Sequence, residues 1–210
     1  MRSNCKILIK SVTSLFAASI VITYSSLAYS TQFNVLLFTK TAGWHHKSIN
    51  GAFQAIEQLG DKHHFGVDWQ EDASLIHDEN LQKYDAIVFL LTSGDILNTQ
   101  QEAALQKFIE SGKGFVGIHS ASDTEKDWPD EWYEFGPATV NDLTYLLTVD
   151  EKTFNPQARW GDNIGKGMGT FHPIAWYHEY AGGRAFYTAL GHKPINYLDN
   201  AFLQHIYGGL

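Results

Sequence analysis

Three histidine-bearing segments carry the chemistry open to this sequence. His45 and His46 follow the apolar run Phe33-Asn-Val-Leu-Leu-Phe38, His119 and Ser120 end Gly114-Phe-Val-Gly-Ile118, and His192 follows Tyr187-Thr-Ala-Leu-Gly191. Each imidazole stands just past an extended apolar run, where the strands of an open α/β sheet present their carboxyl ends and bind ligands. Neutral imidazoles converging on one crevice, with a carboxylate nearby, suit general acid-base work. They equally suit a borderline divalent metal such as zinc, nickel or iron, zinc first. The competing role at each position is structural: a histidine hydrogen-bonded at a strand exit.

Asp123, Thr124 and Glu125 follow the His119 run and would orient a histidine or cap a helix, with Glu125 expected as a solvated charge. His178 lies in Trp176-Tyr-His-Glu-Tyr180, where strand alternation groups it with Tyr180, opposite Tyr177 and Glu179. It is a site residue or a sheet-packing one. Trp44, Trp128, Trp132, Tyr133, Trp176 and Tyr177 would form a stacking wall for a sugar ring, or ordinary core and rim packing. His63, His64, His77 and His205 have no comparable context and read as surface or packing residues.

The elements that must position these groups follow from hydrophobic periodicity. Short apolar runs at 33–38, 65–69, 85–91 and 112–120 read as strands. Ile49, Phe53, Ile56 and Leu59 recur at helical spacing, with Gly60 as a stop. Thr99 followed by Glu102 has the form of a capping box opening a helix through Ser111. Strand, helix, strand, strand, helix, strand is the rhythm of a doubly wound α/β sheet. Beyond it, 142–149, 174–180 and 184–190 read as strands, 154–170 as loop, and 198–207 as a closing helix.

Composition narrows the function classes. A chain of 210 residues, 44% hydrophobic and 18% charged, has the make-up of one globular domain. Residues 1–30 have the layout of a secretory signal peptide: Arg2, Lys6 and Lys10, then an apolar stretch, then the small-x-small site Ala28-Tyr29-Ser30. That places the mature protein in the periplasm or outside the cell, with no membrane attachment after cleavage. Cys5, the single cysteine, falls inside this leader. The mature chain then has no thiol nucleophile, disulfide or thiolate metal site. Losing three basic residues moves the formal charge from -8 to about -11, which argues against a nucleic-acid partner.

Five segments together resemble the ThuA-like (trehalose-utilisation) family. They are Phe38-Thr-Lys-Thr-Ala-Gly-Trp-His-His-Lys-Ser-Ile49, Gly114-Phe-Val-Gly-Ile-His-Ser-Ala-Ser-Asp-Thr-Glu125, Asp130-Glu-Trp-Tyr-Glu-Phe135, His172-Pro-Ile-Ala-Trp-Tyr-His-Glu-Tyr180, and Gly183-Arg184 through Leu190-Gly-His192. The resemblance implies a flavodoxin-like, mostly parallel sheet with helices on both faces, similar to that of class I glutamine amidotransferases. It implies that His119 occupies the elbow where those enzymes carry cysteine, so glutamine hydrolysis through a thioester is excluded. It implies a role in carbohydrate catabolism, with His46, His119, Asp123 and His192 as catalytic candidates and His46, His119 and His192 as metal ligands. Trp44, Ser120, Trp132, Tyr133 and His178 are the substrate-binding candidates. No nucleotide cofactor is expected.

One departure is plain: Asp127-Trp128-Pro129 runs directly into Asp130-Glu131-Trp132-Tyr133, where the family pattern has several tens of further residues. Two readings stay open. The chain is an enzyme acting on a disaccharide or keto-sugar as a lyase, hydrolase or isomerase, or it is a non-catalytic sugar-binding or accessory protein that has lost part of its site.

Overall fold

The apolar runs form the strands that periodicity assigns to them. The structure is a computed structural model that describes residues 30–125, 142–160 and 163–210. Strands β1 (Asn34–Phe38), β2 (Gly66–Gln70), β3 (Ala86–Leu90) and β4 (Gly114–Ile118) pair in parallel. Strand β5 (Thr144–Thr148) lies at the far edge, β6 (Arg159–Trp160) and β7 (Asn163–Ile164) form a two-residue ladder, and β8 (Pro173–Tyr180) and β9 (Gly183–Thr188) complete the main sheet. The seven-stranded order is β2-β1-β3-β4-β9-β8-β5. β9 is parallel to β4, β8 is antiparallel to β9, and β5 is antiparallel to β8. The five parallel strands have the flavodoxin-like order, with β9 in fifth place.

β3 is buried along its whole length, as a strand covered on both faces must be. Alternation divides the strands between two cores. Val35, Leu37, Val88, Leu90 and Val116 face helices α1 (Ile49–His63) and α4 (Asn200–Gly209). Leu36, Phe38, Ile87, Phe89 and Phe115 face α2 (Asp78–Leu81) and α3 (Thr99–Glu110). Each such side chain contributes roughly 1.5–3 kcal/mol by leaving water, so the sheet centre is the rigid platform from which the loops project.

Two helix boundaries differ from the sequence reading. α1 runs past Gly60 to His63, and His64 supplies the left-handed C-terminal residue at φ 59°. Gly60 serves packing instead: a Cβ there would stand 2.8 Å from the Phe65 carbonyl oxygen, where the chain turns back over the helix. At α3 the capping box is shifted by one residue. The Asn98 side chain accepts from Gln100 and Gln101 N–H, while the Gln101 side chain accepts from Asn98 N–H. Thr99 is already helical, and asparagine is the better cap.

β8 and β9 form a hairpin closed by Ala181 and Gly182, at φ 47° and 100°. Positive φ at both central residues matches the twist of the flanking strands.

Candidate functional site

The loops leaving β1, β3 and β4 are laced together by main-chain hydrogen bonds. Ala42 and Gly43 N–H donate to Ser93 O at 2.8 and 3.1 Å, Ser93 Oγ donates to Trp44 O, and Gly94 N–H donates to Asp123 O at 2.7 Å. Gly94 adopts φ 77° with its Cα against the 42–43 backbone, where a Cβ would stand 2.8 Å from Gly43 N. Only glycine fits this crossing.

Glu125 fastens the same lacing from below. It is buried rather than a solvated charge, and its Oε1 accepts from Ile96 N–H at 2.6 Å and Leu97 N–H at 2.9 Å. Burial raises its carboxyl to about 7, against those two hydrogen bonds, which pull the other way. Two N–H groups turned inward at the start of the loop explain why the chain buries a carboxylate here; nothing local in the sequence signals it.

His119 leaves β4 at φ 57°, an uncommon conformation for a branched-ring residue, and its carbonyl accepts from the buried Tyr187 hydroxyl at 2.7 Å. The ring Nδ1 lies 2.8 Å from Ala189 O and Nε2 lies 2.9 Å from His192 Nδ1. His192 follows Gly191, which stands at φ 105°, and its own carbonyl accepts from Ser48 Oγ at 3.0 Å. Ser48 is the N-cap of α1, yet its hydroxyl makes no cap bond because it holds this loop. His46 completes the group, with its Nδ1 3.4 Å from Ser120 Oγ and its ring edge-on to His119 and His192 at centroid distances of 4.9 and 5.4 Å.

The three strand-exit histidines therefore meet, as their positions predict. Each contributes a ring nitrogen within 4.8 Å of the others. Burial is the largest cause holding His46 down at about 4, followed by the electrostatic influence of His119, His192 and His45, with Asp123 opposing. His119 is also lowered, mainly by burial. Both rings are thus neutral at neutral pH and keep a lone pair for a proton or a metal. The donor set fits a borderline divalent cation, and the Ala189 carbonyl behind His119 Nδ1 is the kind of outer partner that orients a ligating imidazole.

The cavity over these rings has a volume of about 510 Å³ and is also lined by Trp44, His45, Lys47, Ser120, Asp123, Lys193 and Pro194. Trp44 is 65% exposed at its rim, a flat apolar surface available for stacking. His45 bonds to Thr41 Oγ1 through Nδ1 at 3.1 Å.

His178 does not join the group. It pairs with Ala185, which pairs with Phe115, so it lies toward the opposite end of the sheet from His119. Its half-buried ring is lowered by desolvation, which marks it as a packing residue. Trp176 packs on Tyr187 at 4.7 Å and belongs to the core, while Tyr177 is exposed on the other face. Trp128, Trp132, Tyr133 and the junction at 129–130 lie outside the described residues. Sequence reasoning missed Lys47 and Lys193 at the rim and the supporting roles of Ser48, Tyr187 and the Ala189 carbonyl. Tyr187 and Ala189 lie five and three residues before His192 on the strand that carries it, but only the β4/β9 pairing shows that they face His119.

The chain matches the model of the ThuA family, described as trehalose utilisation, over residues 34–129 and 126–210. No match was found among curated proteins. Among solved structures it is similar to a ThuA-like protein from Bacteroides uniformis, with TM-score 0.63 and 17% identity, covering 88% of this chain and 92% of that one. It is also similar to a ThuA-like protein from Parabacteroides merdae, with TM-score 0.50 and 15% identity, covering 76% and 80%. At these identities the structures speak for the fold, and the family model speaks for the sequence. With five motif segments in order, a flavodoxin-like sheet and a model match spanning residues 34–210, the chain belongs to the ThuA, or trehalose-utilisation, family, whose description points to a carbohydrate-related role.

Proposed function

We propose that the histidine cavity is a catalytic site for acid-base chemistry on a carbohydrate, a disaccharide or its keto-sugar derivative. The observation that carries this reading is the meeting of three imidazoles from three strand exits in one open cavity, two of them held neutral by burial.

On a keto-sugar, one neutral imidazole takes the proton from the carbon beside the carbonyl. The C–H electron pair becomes the C=C bond of an enediolate, and the carbonyl electrons move to oxygen. The carbonyl oxygen is met by an N–H donor. Because burial keeps His46 uncharged, it would act as a neutral donor rather than as an imidazolium, the kind of electrophile a buried histidine can be. Return of the proton to a different atom gives isomerisation, and delivery to a departing β-oxygen gives elimination. Hydration is the reverse of the latter.

A zinc-class cation held by His46, His119 and His192 would supply Lewis-acid polarisation of the same carbonyl. Trp44 would stack on the ring of the sugar, and Asp123 would bias the cluster toward accepting protons.

The test is elemental analysis of the purified mature protein together with turnover of a keto-sugar panel by wild type, His46→Ala and His119→Ala. Turnover lost in well-folded variants supports the reading, and no turnover on any keto-sugar or disaccharide overturns it. A second reading, a sugar-binding or accessory protein, has its own support: the short junction at 129–130 coincides with the place where the two matched segments of the family model meet. Sugar binding without turnover would establish it. We also propose that residues 1–30 are a leader and that the protein works in the periplasm or outside the cell. A mature N-terminus other than one near residue 29 or 31 would refute that.

A further inference from the structure

The hydrogen bonds of the histidine cluster run in one direction. Ala189 O is a carbonyl and can only accept, so the His119 Nδ1 lying 2.8 Å from it carries a proton. A neutral His119 then has its lone pair on Nε2, and that atom lies 2.9 Å from His192 Nδ1. Two facing lone pairs would repel, and so would two facing N–H groups. The proton between the rings therefore belongs to His192 Nδ1.

The lone pair of His192 is thereby left on Nε2, an atom with no hydrogen-bond partner among the described residues, in an exposed ring lining the cavity. Both main chains are pinned so that the rings cannot slide out of register: Tyr187 holds the His119 carbonyl and Ser48 holds the His192 carbonyl. His46 does not compete for the shared proton, because its nearest hydrogen-bonding contact is Ser120.

We infer that His192 is the proton acceptor of the site through Nε2, and that His119 is a positioning residue which fixes the Nδ1–H form of His192 by passing on the orientation set by the Ala189 carbonyl. The assignment rests on the acid-base reading of the cavity and names its base. When His192 takes a proton from substrate, the new N–H sits on Nε2. The resulting cation is stabilised because its Nδ1–H already donates to His119 Nε2. The arrangement does for His192 what a carboxylate does for the histidine of a Ser-His-Asp triad, with a neutral imidazole as the acceptor. The alternative proton placement, a His119 cation donating to both neighbours, requires charge on a ring that burial keeps neutral. A cation bound at His119 Nε2 would use the lone pair that receives the His192 proton, so metal ligation and this relay exclude one another.

The test is a long-range 1H–15N correlation spectrum of the histidine-labelled mature protein, as purified, at pH 8. Signals are assigned with single His46→Gln, His119→Gln and His192→Gln variants. The expected result is the Nδ1–H tautomer for both His119 and His192, where a free imidazole prefers Nε2–H. His119→Gln should preserve the His192 form, because an amide donates to Ala189 O through its nitrogen and offers its oxygen to His192. His119→Ala should release His192 to Nε2–H. Carbethoxylation by diethyl pyrocarbonate, read by mass spectrometry, should be several-fold faster at His192 than at His46 or His119.

An Nε2–H His192 in the native protein overturns the assignment, and so does a deprotonated, metal-shifted Nδ1. The wild-type spectrum decides even if the alanine variant fails to fold. Because the tautomers are read without substrate, a protein with this relay but no turnover would sink the catalytic reading alone, and turnover without this tautomer would sink the relay alone.

Discussion

Acidifying the protein should destabilise it through His46, and the size of the effect follows from its surroundings. The ring is 7% exposed, faces two further imidazoles at 4.9 and 5.4 Å, and takes up its proton at about 4 instead of the ordinary 6.5. In the unfolded chain it would be protonated below about 6.5. Between the two values the unfolded state holds the extra proton, so stability falls as pH drops from 6.5 toward 4 and levels off below that. The full difference would be about 3 kcal/mol. Because the ring borders an open cavity that solvent can enter, about 1–2 kcal/mol is the expected loss.

The assay is urea unfolding of wild type and His46→Gln at several pH values from 8 to 4. The variant should lose less stability than wild type across the window, with the gap opening below pH 6.5. Since His119, His178 and His205 are also lowered by burial, wild type alone would not isolate His46, and the difference between the two proteins does. Parallel stability curves, or an NMR titration of His46 centred on its ordinary value, would refute the reasoning.

Glu125 should behave in the opposite sense. Its carboxyl is raised to about 7, so the native state favours the protonated form and stability is lost as pH rises from about 4.5 through 7; Glu125→Gln, whose amide oxygen still accepts from Ile96 and Leu97, should gain about 1–2 kcal/mol relative to wild type between pH 5 and 8 in the same unfolding assay. Tyr187→Phe removes the donor to the His119 carbonyl and should cost about 1–2 kcal/mol, with shifted imidazole resonances; unchanged resonances would mean that the hydroxyl does not hold the elbow. Gly94→Ala meets both a positive φ and a Cβ 2.8 Å from Gly43 N, so a loss of at least about 2 kcal/mol is expected, and a neutral substitution would show that the loop crossing is looser than described.

The parallel half of the fold was legible because buried strands announce themselves. Asn34–Phe38, Ala86–Leu90 and Gly114–Ile118 are nearly uninterrupted apolar runs, and an order of strands alternating with helices leaves few topologies. The three histidines were legible as strand-exit residues for the same reason. What remained hidden was whatever depends on lateral pairing. His178 looked equivalent to His192 in sequence, yet an antiparallel β8 carries it away from the carboxyl ends. Glu125 looked like a surface charge because its partners, Ile96 and Leu97 N–H, are main-chain groups with no side-chain signature. The shift of the α3 cap to Asn98 shows the usual limit at boundaries, where adjacent polar residues compete and one hydrogen-bond geometry wins.

The place of β9 in the sheet has a consequence for the order of assembly. His119 and His192 stand on neighbouring strands but are separated by 73 positions along the chain. β9 must dock against β4 after the whole intervening stretch has been synthesised, and long-range parallel pairing of this kind is slow to form. During synthesis β1 to β4 and α1 to α3 are available early, bringing two of the three imidazoles, while the third arrives with the last strand and the closing helix. A ligand that requires all three would therefore discriminate a finished chain from a nascent or truncated one, and its binding would report completion of the sheet.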